Sequence, residues 1–393
     1  MLTVLLALAL AGPLPAPADT VLAPGAADVE VTPRLNVFSL YSGTHGFGLA
    51  GGVRARSGAT TATLDGRLSQ FLQAGALTLD THDPASARVF GRLRGVGSTE
   101  SRWRYHGTGG ATAADDRVDL DLATAQATAA VGVRPLASRA LTVLPRLGAR
   151  VDRLGTADDD APLDRLDARS LRAYQDARDE TRRAVSAGLA AELDTRDRAQ
   201  YPSRGALVAA GVDRILSVDG TDGRFVRYDA SAAGFVPLGQ RVVLFGRASL
   251  AVTEADGDRE IPVYYLPTVD PDRLAGFPVG RFRGDDAALF SVGARVPIID
   301  ALGAFGLDAV VTASAGNAYR DVFREFTPAL TFRSDPDGDR APLRPVLGVG
   351  LALVNIPKGK VALGGSVGVG PEGLTLLALR LSTGLGDDLP TLW

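Results

Sequence analysis

Along most of this chain, residues alternate in twos between apolar side chains and small or polar ones. Gly, Pro and Asp break the alternation at short intervals. That is the signature of β-strands. In Lys360–Gly370, Val361, Leu363, Val367 and Val369 share one face, and Ala362, Gly364, Ser366, Gly368 and Gly370 the other. Ala184–Asp194 repeats it, with Val185, Leu189 and Leu193 opposite Ser186, Gly188 and Glu192. In Phe305–Gly316, Phe305, Leu307 and Val311 oppose Asp308, Thr312 and Ser314.

About sixteen such segments can be drawn, an even number as bacterial single-chain membrane barrels have. They span residues 34–41, 46–56, 60–70, 72–81, 87–98, 116–134, 140–155, 183–197, 204–218, 224–238, 241–256, 285–300, 302–319, 343–356, 359–370 and 373–385. The long connections, 99–115, 156–182, 257–284 and 320–342, all follow odd-numbered segments. Connections after even-numbered segments are short, as at Ser57–Ala59, Pro135–Arg139 and Gly239–Gln240. Long outer loops, short periplasmic turns and two periplasmic termini produce this asymmetry. A soluble sandwich has no reason to keep it.

The sequence therefore predicts an all-β fold, a transmembrane antiparallel barrel of about sixteen strands. The rival is a series of soluble β-sandwiches. The many Gly and Ala on the polar face would underfill such cores, and no Pro-, Ser- or Gly-rich linker separates repeated units. No internal run approaches the ~20 apolar residues of a membrane helix. A barrel is the remaining way to span lipid, because every backbone polar group must be satisfied within the sheet. The 393 residues carry a formal charge of −3, too small to suggest nucleic acid as a partner. Lysine occurs only at Lys358 and Lys360, and there is no cysteine, which excludes disulfides, thiolate metal sites and a cysteine-borne lipid anchor.

The opening Met1–Gly12 is an apolar core of signal-peptide length, and Ala16-Pro17-Ala18 supplies a small-x-small cleavage pattern. It has no Lys or Arg ahead of the core. The expected organisation is a signal peptide at 1–18, a short periplasmic lead at 19–33, the barrel at 34–385 and a tail at 386–393. The Arg-rich stretch Asp160–Arg183 can form a short helix within its loop.

Two motifs stand out. The first is Leu193–Gly205, with Asp194, Arg196, Asp197, Tyr201, Pro202 and Gly205 in a connection between strands. Physically this is a good turn: carboxylates cap amides, Pro fixes φ, and Gly takes a left-handed conformation. The second is Gly276–Gly284, containing Gly276, Gly280, Phe282, Arg283 and Gly284 in a long loop. At these residues the chain resembles the BamA/TamA-type superfamily, the bacterial surface-antigen barrels, over about Pro33 to Leu385. The family's Asp-x-Arg-Asp-x-x-x-x-Pro-x-x-Gly turn is matched in order. Tyr41–Gly52 is similar to the family's first hairpin. Phe282-Arg283-Gly284 looks like the Arg-Gly signature of a loop that folds back into the lumen. The resemblance implies that this Arg is held by an acidic site on the wall. The family's inward Asp of the thirteenth strand is replaced here by Ser314. Asp308 is then the first candidate partner for Arg283 and Glu192 the second, the alternatives being a loop held loosely or by backbone carbonyls. The resemblance is to a barrel-only member without periplasmic receptor domains. It implies a role in inserting or translocating client proteins or lipids in the outer membrane; a passive channel or structural barrel is the alternative.

An outer-membrane hydrolase is the enzyme reading. The three histidines are His45, His82 and His106, the last in a long loop near Ser101. No Gly-x-Ser-x-Gly elbow, His-x-x-x-His pair or phosphate loop accompanies them. The sequence thus implies no catalytic residue, no metal and no cofactor, and the expected partners are outer-membrane lipid and client proteins or lipids.

Overall fold

The computed structural model describes residues 29–34, 39–42, 48–82, 87–110, 112, 116–135, 140–155, 163–199, 201–219, 223–239, 242–257, 261–269, 277, 280–302, 305–332, 341–355 and 360–381. The expected signal segment and tail lie outside them. Eighteen strands form one sheet. They are β1 Val29–Arg34, β2 Ser39–Ser42, β3 Gly48–Ser57, β4 Thr60–Ser69, β5 Leu72–Asp80 and β6 Val89–Tyr105. Then follow β7 Val118–Val133, β8 Leu141–Leu154, β9 Thr181–Asp194, β10 Gly205–Ser217, β11 Arg224–Leu238 and β12 Val242–Ala255. The last six are β13 Asp286–Leu302, β14 Phe305–Tyr319, β15 Phe326–Leu330, β16 Ala341–Asn355, β17 Lys360–Gly370 and β18 Gly373–Leu381.

From β3 onward each strand pairs antiparallel with the next, except that β14 pairs directly with β16. β18 pairs back to β2. β1 pairs with β3, so β1 and β2 share the first position, and β15 is a short parallel addition beside β16. Eighteen strands less β15, with β1 and β2 counted as one, leave sixteen wall positions. The expected spans match this wall closely, with three differences. The first strand is split and begins at Val29, inside the expected periplasmic lead. The fifth runs on to Tyr105 through a bulge between Glu100 and Trp103. The loop after β14 contains β15, inside the connection 320–342 that was expected to hold no strand. Ala168–Ala177 forms a helix in the β8–β9 loop, capped by Asp167.

The alternation sorts the wall into two faces. One carries Leu147, Leu189, Leu244, Val292 and Leu347, exposed by 65%, 49%, 41%, 62% and 64%. The other carries ion pairs: Arg92 to Asp80 at 2.7 Å, Arg150 to Asp152 at 2.8 Å, and Arg146 to Asp213. A water-soluble protein puts these faces the other way round. Charges inside and an apolar skin outside is the arrangement of a barrel in lipid. Among the described residues, no helix is long and apolar enough to cross a membrane.

The four long connections all lie at one end of the sheet, where β6, β8, β12 and β14 finish. The turns after β3, β9 and β11 lie at the other. In lipid vesicles Leu147→Arg is expected to cost about 2–4 kcal/mol, as for a cation near the bilayer midplane. Denaturant unfolding checks it; an exposed site in water would change by less than about 0.5 kcal/mol.

Candidate functional site

The loop between β12 and β13 turns inward and crosses the space enclosed by the wall. Val263 and Tyr264 join a buried cluster with Trp103 and Tyr105 of β6, Leu120 of β7, Leu154 of β8 and Tyr174 of the loop helix. Ile261 and Leu266 pack on Ala184, Ile215 and Phe225, from β9, β10 and β11. Val269, Phe277 and Phe282 pack on Leu289, Ala318 and Val346, from β13, β14 and β16. The loop thus touches opposite sides of the wall. It is braced on itself where Thr268 bridges Arg283, with Val269 N–H donating to Phe282 O at 3.2 Å.

Arg283 is 5% exposed. Its Nη1 donates to Val263 O at 3.2 Å and Leu266 O at 3.4 Å, and its guanidinium lies 4.3 Å from the Trp103 ring centroid. Its own carbonyl accepts from Gly109 N–H at 2.7 Å. Burial pulls its pKa down to about 10, so it stays charged at neutral pH. Carbonyls and an aromatic face therefore make the direct contacts to this cation, in place of the expected Asp308 or Glu192. Gly284 comes so close to β14 that a Cβ there would sit 2.4 Å from Tyr319 O. Gly280 has φ +74°, and Gly276 lies outside the described residues.

The loop's ion pair belongs to Arg281, which the sequence reading passed over. Its Nε meets Glu372 Oε1 at 2.7 Å, and its Nη atoms donate to Thr112 Oγ1 at 2.8 Å and Thr112 O at 2.6 Å. The two side chains are 1% and 9% exposed. Glu372 sits in the tight turn between β17 and β18. Arg344 of β16 donates to Gly110 O at 2.9 Å. The Arg281 and Arg344 guanidinium groups lie 4.7 and 5.6 Å from the Phe282 ring. His106 bonds the Gly280 backbone, and burial, aided by the Arg281 charge, lowers its pKa to about 3. The only available signals were an Arg-Phe-Arg spacing and one of two tryptophans.

Asp308 and Glu192 sit elsewhere. Asp308 is eleven residues along β14 from Tyr319, roughly 36 Å at ~3.3 Å per residue. It accepts from Tyr201 Oη at 2.5 Å. Arg295 of β13 stacks 3.6 Å from the Tyr201 ring centroid, donates to Pro202 O at 2.8 Å, and approaches Asp308 at 3.7 Å. Glu192 lies two residues before Asp194, opposite Ala209 and Thr142. Both carboxylates are thus at the tight-turn end, while Arg283 is at the loop end. Ser314 donates to Ser291 Oγ at 2.8 Å.

The turn motif is held by its own carboxylates. Asp194 accepts from Arg196 Nε at 2.9 Å and Nη2 at 2.8 Å. Asp197 accepts from Ser203 N–H at 2.8 Å and Arg204 N–H at 3.2 Å. Burial works against its ionisation, but the bonds from Ser203 and Arg204 outweigh this and hold it at about 2. Gly205 has φ +96°, and a Cβ there would meet Thr195 O at 2.3 Å.

Breaking the Arg281–Glu372 pair with Arg281→Ala is expected to cost about 3–5 kcal/mol, because the carboxylate is left buried and uncompensated. Arg283→Ala leaves no orphaned carboxylate, so its loss should be smaller, and Arg283→Lys should recover only part of it without the fork. Thermal denaturation of all three ranks them. His106 gives a pH signature. Its folded pKa is depressed, so its contribution is intact above the unfolded value near 6.5 and is lost as pH falls toward about 3. The slope reaches at most about 1.4 kcal/mol per pH unit. His106→Leu should flatten stability between pH 4 and 6.5; an unchanged slope would refute the assignment.

The family model of the Omp85 superfamily domain matches residues 88–320. Among solved structures the chain is similar to BamA from Haemophilus ducreyi lacking POTRA domains 1–3, at 14% identity and TM-score 0.61, covering 90% of this chain and 69% of that one. It is also similar to CdiB from Escherichia coli, at 12% identity and TM-score 0.54, covering 92% of this chain and 63% of that one. At such identity the likeness is one of fold. No curated protein gives a sequence match. With more than half its length matched by the family model, the chain belongs to the Omp85 superfamily of outer-membrane β-barrels.

Proposed function

We propose that this barrel inserts or translocates client proteins or lipids in the outer membrane by opening laterally between β2 and β18. The observation that supports this is the contrast between a packed roof and a thin seam. The loop end of the lumen is filled by three buried clusters and a buried ion pair. Among the described residues, β18 meets β2 only at Ala378–Ser42, Leu379–Tyr41 and Arg380–Ser39. By contrast, β11 and β12 share fourteen residue pairs, Phe225–Ala255 through Leu238–Val242. Rupture of the sheet costs least where fewest backbone bonds are lost, since each bond broken in lipid leaves groups without water. A passive channel would need the roof to move instead.

In this reading the four long loops face outward, and the tight turns and both termini face the periplasm. The alternation of loop lengths supports that orientation. Catalysis has no part in it: His106 packs beneath the Gly280 backbone, beside Arg281.

Purified protein in liposomes, assayed for ion conductance and for acceleration of barrel insertion, tests the proposal. Insertion without conductance is the expected result, and conductance alone would favour the channel. The chain has no native cysteine, so Ser42→Cys with Ala378→Cys places a single disulfide across the seam. Oxidation should abolish insertion and reduction restore it. Full activity in the crosslinked form would exclude lateral opening.

A further inference from the structure

Beyond Tyr319 the chain folds over the outside of the rim. Asp321 caps the short helix Val322–Glu325, accepting from Phe323 N–H at 3.0 Å and Arg324 N–H at 3.2 Å. Asp286, the first residue of β13, accepts from Val322 N–H at 2.7 Å and Thr253 N–H at 3.2 Å. Val322 then packs on Val252, Ala288, Tyr319 and Ala341. Ala288 shares a face of β13 with Phe290 and Val292, the outward, lipid-facing one. β15 continues beside the start of β16, with Thr331 N–H donating to Leu343 O at 3.0 Å.

The segment covers one apolar surface and presents another. Phe326 and Leu330 pair with Ala341 and Leu343, two residues apart on β16, and so share a side; Phe332 follows just beyond the strand. Phe326, Leu330 and Phe332 are 39%, 56% and 73% exposed, and Phe323 is 80% exposed. Soluble surfaces seldom gather large apolar residues this way. The Phe326 ring lies 6.3 Å from Phe290. Phe290 is the outermost large residue of the β13 stripe that continues through Val292, Val296 and Ile298. Eight residues at ~3.3 Å, tilted by about 40°, carry that stripe roughly 20 Å along the membrane normal, close to the ~25 Å apolar band. Phe290 therefore marks the band's edge, and the patch is continuous with it. Arg324, 86% exposed and 3.1 Å from Asp321, stands beside the patch, whereas Arg320 turns across the mouth to Asp167 at 3.7 Å. The following sequence, Ser334–Arg340, has no large apolar residue to cover it.

We propose that residues 321–332 form a lipid foot, with Phe323, Phe326, Leu330 and Phe332 seated at the acyl–headgroup boundary of the outer leaflet beside β13–β16. The leaflet rests on the orientation proposed above. The foot itself rests on the exposed stripe and its continuity with the wall. Its position resembles that of interfacial apolar anchors, which bury about 5–10 Å into that boundary.

The cysteine-free background allows single nitroxide labels in liposomes, at Phe323→Cys and Phe332→Cys. Leu147→Cys on the wall and Asp164→Cys in the β8–β9 loop are the references. Power saturation should show both foot labels more accessible to oxygen than to an aqueous nickel chelate, as at Leu147. Nickel accessibility like that of Asp164 would overturn the foot, and so would shielding from both reagents, which would mean a protein covers it. If Leu147 itself reads as aqueous, the membrane barrel has failed rather than the foot. Reaction of the Asp164 cysteine on intact cells supports the outer leaflet; reaction only after permeabilisation overturns that assignment.

Discussion

A strand in lipid has one source of hydrogen bonds, its neighbours in the sheet. Most of what is seen here follows from that. The wall must be continuous, so from β3 to β18 its strands, β15 apart, pair antiparallel, with bulges at a few places. One face must then be apolar, and the other encloses a space too wide for the wall's own side chains to fill. Charged pairs such as Arg146–Asp213 occupy the wall, and an inward loop fills the end where the long connections gather.

That loop brings arginines into a place where charge is expensive. The solution differs from a simple pair. Arg283 bonds two loop carbonyls and lies over an indole face, with the Glu100 carboxylate acting on it only through space. Arg281 has a carboxylate, supplied by a turn between the last two strands. The division makes chemical sense. Carbonyls of the loop itself come with the loop, whereas Glu372 comes from a separate element and ties the two together.

The wall was legible because alternation has a fixed period and lipid enforces it without exception. The strands could be read from Leu189, Val367 and their neighbours, parity from the lengths of the connections, and the short loop helix from the stretch Asp160–Arg183. The split at the first strand and the strand Phe326–Leu330 could not: each is only four to six residues long, and β15 pairs in parallel through a register shift. The site was legible by motif and not by contact. Phe282-Arg283-Gly284 pointed to an inward loop, but the depth of that loop depends on where Gly284 meets Tyr319, which is a tertiary fact. Placing the loop near Ser314 put Asp308 within imagined reach. The loop instead stays at the rim, and Asp308 pairs with Tyr201 of the other motif.

Tyr201 reaches from the connection between β9 and β10 to β13 and β14. In a ring of sixteen positions this is a chord joining the eighth and ninth to the twelfth and thirteenth. A chord divides a circular mouth unequally. The smaller share is bordered by β10–β13, and the larger by the remaining strands, among them β2 and β18. The larger share borders β2 and β18, which among the described residues meet at three residue pairs.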